Sequence, residues 1–157
     1  MSLRTITAKK ESWPIRGSFR ISRGAKTTAE VVGVMTTENG LLGQGECVPE
    51  GRYGETYRSV LDQVSAVREP LSHGAGRMDL LTLMTAGAAR NAIDAALWDL
   101  EAKLTGKTVA DLAGISAPGP LVTAYTLSLD TPEKMGEAAK INAHRPLMKL
   151  KLGGDHD

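Results

Sequence analysis

From Leu3 to about Pro49 hydrophobic and polar residues alternate with a period near two, in "LRTITAKKESWPI", "GSFRISRG" and "TTAEVVGVMTTENGLLGQGECVP". Glu38-Asn39-Gly40 interrupts the last run with a hairpin signal, so this stretch predicts an antiparallel meander of three strands or more. After "PEGRYGET" the period lengthens. Val60, Leu61, Val64 and Val67 predict a helix over Thr56 to Glu69 that Pro70 ends. A stronger helix covers "AGAARNAIDAALWDLEAKLTGK", where Ala89, Ala92, Ile93, Ala96, Leu97 and Leu100 form one apolar stripe, Leu104 extends it and Gly106 stops it. Trp98, Asp94 and Asp99 read as the core and flank of this helix.

The proline and glycine stretch "ISAPGP" then reads as a linker. Beyond it, "LVTAYTLSL" is a strand, "TPEKMGEAAKINAH" a helix with Thr131 as N-cap and Pro132 at its first position, and "LMKLKLGG" a second strand. Strand, helix and strand at this spacing form a βαβ unit, whose connection requires a parallel pair. The chain therefore reads as an α+β portion followed by the opening of a parallel α/β portion.

The final run places Lys149 and Lys151 on one face of its strand and Met148, Leu150 and Leu152 on the other. Two readings fit the lysines. They suit a solvated edge strand that discourages aggregation. They also suit a general base, because like charges held together disfavour each other's protonation.

Composition narrows the partners. At 157 residues, with 41% hydrophobic and 24% charged residues, the chain has the make-up of a globular protein of one domain, or of a small domain and part of another. A net charge of +1 offers no electrostatic footprint for nucleic acid or an anionic membrane. With no apolar run of roughly 18 residues and no signal-like start, the expected location is cytoplasmic. The single Cys47 fits a reducing compartment and reads as a buried small residue, while His73, His144 and His156 lack metal-ligand spacing. "GQGEC" is not a dinucleotide fingerprint, since its third glycine is missing and Pro49 stands where a helix should open.

Taken in succession, "GECVPEGRYGET", "ARNAIDAALWDLEAKLTGK", "TAYTLSLDTPEKM" and "LMKLKLGGD" resemble the enolase superfamily, and within it the dipeptide epimerases of the L-Ala-D/L-Glu type. The resemblance implies a capping domain over 1–118, with an antiparallel meander and helices. It implies that 121–157 are the first strands of a (β/α)8 TIM barrel, incomplete because such a barrel takes roughly 250 residues. It makes Lys151 the general base that removes the α-proton of a small acidic dipeptide such as L-Ala-L-Glu, and Lys149 its partner, while Mg2+ stabilises the enediolate. Thr126 matches a substrate-contacting threonine. Arg23, Arg52 and Tyr53 fall in two loops that close over the barrel mouth and select the substrate, although a solvent-exposed turn charge is the plainer reading of both arginines.

The metal ligands and the second catalytic lysine belong to later barrel strands, and Asp155 and Asp157 do not replace them. The 157 residues are accordingly expected to be the front portion of an isomerase, inactive alone. The partners expected are the dipeptide and either a second copy or a complementing second chain. Two alternatives stay open: a muconate-lactonising or o-succinylbenzoate-synthase-like lyase or cycloisomerase of the same superfamily, and a non-catalytic fragment that needs a second polypeptide.

Overall fold

The computed structural model describes residues 4–153, so Asp155, His156 and Asp157 lie outside the described residues. Strands β1 (Thr5–Ile21), β2 (Gly24–Glu38) and β3 (Leu41–Cys47) are followed by a 3-10 turn at Gly51–Tyr53. Helices α1 (Tyr57–Ala66), α2 (Arg68–Ser72), α3 (Leu80–Leu83), α4 (Ala88–Thr105) and α5 (Val109–Ala113) come next. The chain then runs through β4 (Tyr125–Leu127), α6 (Pro132–Ile141) and β5 (Met148–Leu150). Two compact units interleave along the sequence. One comprises the residues through Ser12 with Glu30–Ala117, the other Trp13–Ala29 with the residues from Pro118 onward.

The meander is present as β1-β2-β3. β2 and β3 pair antiparallel from Glu38 opposite Leu41 to Val32 opposite Cys47. Asn39 and Gly40 join them with φ values of 51° and 78°, the doubly positive turn that matches strand twist. In the first unit, α4 lies across β3. The six predicted stripe positions of α4 are all buried, beside Val32, Val34, Val60 and Val64. The contact is close enough that a Cβ on Gly43 would strike Ala96 and Leu100, and one on Gly45 would strike Ala92 and Ala96. The glycines of "GQGEC" thus admit a helix to the face of a strand, a different use from cradling a phosphate.

The helix expected over 56–69 divides. α1 starts at a Thr56–Ser59 capping box and stops at Ala66, and Pro70 lies inside α2. Proline is tolerated there because the N–H groups of a first turn have no acceptor within the helix.

In the second unit β4 and β5 are parallel, with Tyr125, Thr126 and Leu127 opposite Met148, Lys149 and Leu150. α6 begins at Thr131 with Pro132 at its first position, as its sequence predicts, and lies against β4. Both strands are shorter than the alternation suggests. Leu121 and Val122 are exposed, and past Leu127 the backbone bonds to β1: the Leu129 N–H donates to the Arg20 carbonyl at 3.1 Å. The apolar face of β5 is open, with Leu150 54% and Leu152 63% exposed.

Candidate active site

The parallel register sets Thr126 beside Lys149. The ladder continues one step further, since the Lys151 N–H donates to the Leu127 carbonyl at 3.2 Å. Period two then puts Lys151 on the face of Lys149 and Thr126, its Cα about 6.6 Å from that of Lys149. Lys149 is exposed and Lys151 half-buried, with its ammonium 5.9 Å from the centre of the Phe19 ring. Arg145 lies over the ring of Tyr125 at 3.8 Å on the neighbouring strand.

Arg23 sits in the two-residue turn between β1 and β2. This turn belongs to the same unit as the lysines: a Cβ on Gly153 would lie 2.5 Å from the Cβ of Ser22, so Ser22 abuts the chain two residues past Lys151. Among the described residues, no carboxylate lies within ion-pair distance of Lys149, Lys151 or Arg23. A face with two such lysines suits an anionic ligand.

Arg52 and Tyr53 belong to the first unit, on the 3-10 turn, where the Glu50 carboxylate accepts from the Arg52 N–H at 3.1 Å and Tyr53 is 78% exposed. That turn borders an open cleft of about 730 Å³, also lined by Cys47, Glu55, Gly87 and Asn91. Glu55 was not singled out by its sequence context. Its carboxylate accepts from the Ala88 N–H at 2.6 Å and the Glu50 N–H at 3.0 Å, so it caps α4 from 33 residues away. These bonds, that from Ala88 foremost, hold its carboxyl below the usual carboxylate range. Burial, with the Glu55 and Glu46 charges behind it, pushes the Cys47 thiol up to about 11, as suits a packed residue and not a nucleophile. Phe19 and Ser128 also escaped notice in the sequence. The one signal for Ser128 was its place two residues after Thr126 on an alternating strand.

Among the described residues no group of three or more His, Cys, Asp or Glu side chains is placed to hold a metal ion, and no helix is long and apolar enough to cross a membrane.

Residues 3–114 match the mandelate racemase/muconate lactonizing enzyme N-terminal domain. The chain belongs to that family, within the enolase superfamily. Its L-Ala-D/L-Glu epimerase from Escherichia coli is 42% identical over 152 residues, which are 96% of this chain and 47% of that protein. Among solved structures, an enolase family member from Agrobacterium tumefaciens with homology to dipeptide epimerases, holding sodium and L-Ala-L-Glu, superposes with a TM-score of 0.93. Identity to it is 44%, over 98% of this chain and 47% of that one. A dipeptide epimerase from Methylococcus capsulatus, complexed with Mg and L-Arg-D-Lys, is 27% identical with a TM-score of 0.84, over 99% and 47% of the two chains. The chain thus spans about half the length of the curated relatives it matches. Within this family the meander and its helices are the capping domain, and β4, α6 and β5 open the barrel.

Proposed function

We propose that these residues are the front portion of a dipeptide epimerase. In the completed barrel, Lys151 removes the α-proton from the second residue of an acidic dipeptide such as L-Ala-L-Glu. The observation that carries this reading is the register: Thr126 and Lys149 side by side, Lys151 on the same face, and no described carboxylate paired with either lysine. Lys151 accepts the proton on its side-chain nitrogen. Lys149 attracts the substrate carboxylate, and Thr126 donates a hydrogen bond to the substrate. Arg23 pairs with the acidic side chain, and Arg52 and Tyr53 contribute to substrate choice. The family relatives that bind or act on Ala-Glu support the substrate class. The reading also calls for Mg2+, for which the described residues supply no site; its ligands belong to the remaining barrel strands. The buried, unpaired Cys47 supports a cytoplasmic location.

The experiment joins this chain to the remaining barrel strands and follows exchange of the substrate α-proton with D2O. Lys151→Ala is expected to lower exchange from one enantiomer by about 10²–10⁴-fold, and Lys149→Ala to weaken binding and turnover together. Wild-type exchange in the Lys151 variant would overturn the assignment.

A further inference from the structure

The strand leading to Arg23 contains a residue that an extended ladder does not accommodate. Gly17, inside the 17-residue β1, has φ of +80°, and no heavy atom lies within 4 Å of the position its Cβ would take. That positive φ is a conformation glycine adopts readily and other residues rarely do, so the strand changes course there without strain. Immediately beyond it the strand is fastened to the end of β4. The Ser128 hydroxyl donates to the Ser18 carbonyl at 2.9 Å and accepts from the Arg20 N–H at 3.4 Å, and the Leu129 N–H donates to the Arg20 carbonyl at 3.1 Å. One hydroxyl has both a proton and free lone pairs, so it serves both partners at once. Three residues past Arg20 stands Arg23, and Ser22 in the same turn abuts Gly153.

We propose that Ser128 is a positioning residue, a latch that holds the arm from Ser18 through the Arg23 turn against the end of β4. The assignment rests on the reading of the Thr126–Lys149–Lys151 face as the substrate site, because Arg23 can select an acidic side chain only if its turn is held at that face. Ser128 directly follows Leu127, the last residue of β4, two residues after Thr126. Its hydroxyl is engaged by the arm, so it acts through Arg23 without touching substrate.

Amide hydrogen exchange and limited trypsin cleavage of the chain joined to the remaining barrel strands test the latch. Ser128→Ala is expected to speed exchange at the Arg20 and Leu129 amides, and cleavage after Arg20 and Arg23, by about tenfold. The Tyr125 and Lys151 amides of the β4–β5 ladder should keep wild-type protection, and Ser128→Thr, which retains the hydroxyl, should restore a slow arm. Unchanged arm exchange in Ser128→Ala would overturn the proposal. So would an unprotected Arg20 amide in the wild-type chain, or equal loss of protection along β4 and β5, which would mean that the variant unfolds the unit. None of these measurements uses a substrate, so they decide the latch whether or not Lys151 proves to be a base.

Discussion

Replacing Gly45 by alanine would test how the capping domain is built. An added Cβ would meet three main-chain atoms of α4: the Ala92 carbonyl oxygen, the Ala96 nitrogen at 2.7 Å and the Ala92 carbonyl carbon at 3.1 Å. No rotamer relieves a main-chain clash, so the helix has to shift as a body and drag its buried stripe with it. Overpacking of this kind costs about 1–3 kcal/mol, and a main-chain obstacle belongs at the upper end. Loss of glycine's freedom in the unfolded chain offsets about 0.5 kcal/mol, leaving a net destabilisation of roughly 2–3 kcal/mol. For a chain of this length that lowers Tm by roughly 5–10 °C. Gly33 supplies the control from the adjoining strand. The nearest atom to its would-be Cβ is a Glu11 carboxylate oxygen at 3.4 Å, at the end of a flexible side chain. Gly33→Ala should therefore leave Tm within about 2 °C of wild type. Thermal unfolding followed by far-UV circular dichroism reads both variants. Equal Tm values for the two, or a Gly45→Ala chain as stable as wild type, would refute the close approach of α4 to β3.

Three further outcomes concern the same unit. Thr36 is 1% exposed and its hydroxyl has no hydrogen-bond partner among the described residues, so Thr36→Val should gain about 1 kcal/mol in urea unfolding; a loss would mean that the hydroxyl is bonded in solution. Glu55→Ala removes the cap of α4 and should cost about 1 kcal/mol near neutral pH. Because the folded-state carboxyl is held low, that contribution is present above the usual glutamate range and lost as pH falls through the folded value, so the gap to wild type should close in acid. Cys47 works in the opposite direction. The folded chain keeps its thiol proton up to about 11, so its share of stability is intact below the ordinary thiol range and declines as pH rises from there through 11. Cys47→Ala should flatten the alkaline limb of the stability profile, and an unchanged limb would count against burial of the thiol.

Local chemistry was legible where a few neighbouring residues decide the outcome. Asn39-Gly40 announced its turn, the alanine and leucine stripe announced α4, and Thr131-Pro132 announced α6, because each signal is complete within one or two turns of chain. The order of motifs carried the family, and the spacing of strand, helix and strand carried the parallel pair β4 and β5. What stayed hidden depends on partners distant in sequence. Gly43 and Gly45 make sense only once Ala92 and Ala96 lie on them, and Glu55 only once Ala88 has arrived above it. Pro70 looked like a stop because a proline's effect depends on which turn of a helix it occupies, and the break at Val67 that places it in a first turn has no signature of its own. The ends of β4 and β5 were overestimated for a related reason: alternation marks residues suited to a strand, while the ladder extends only where a partner strand offers hydrogen bonds.

The latch also sets an order of events during synthesis. Ser128 lies 110 residues after Ser18 and 108 after Arg20. At translation speeds of about 5–20 residues per second, the arm waits roughly 5–20 s for its fastening to leave the ribosome. In that interval it is a two-stranded ribbon with open edges, marginal by itself and able to pair with whatever strand it meets. The arm is thus fixed by a residue made 108 to 110 positions after it, and conditions that slow elongation between residues 30 and 128 lengthen its exposure to chaperones and to neighbouring chains.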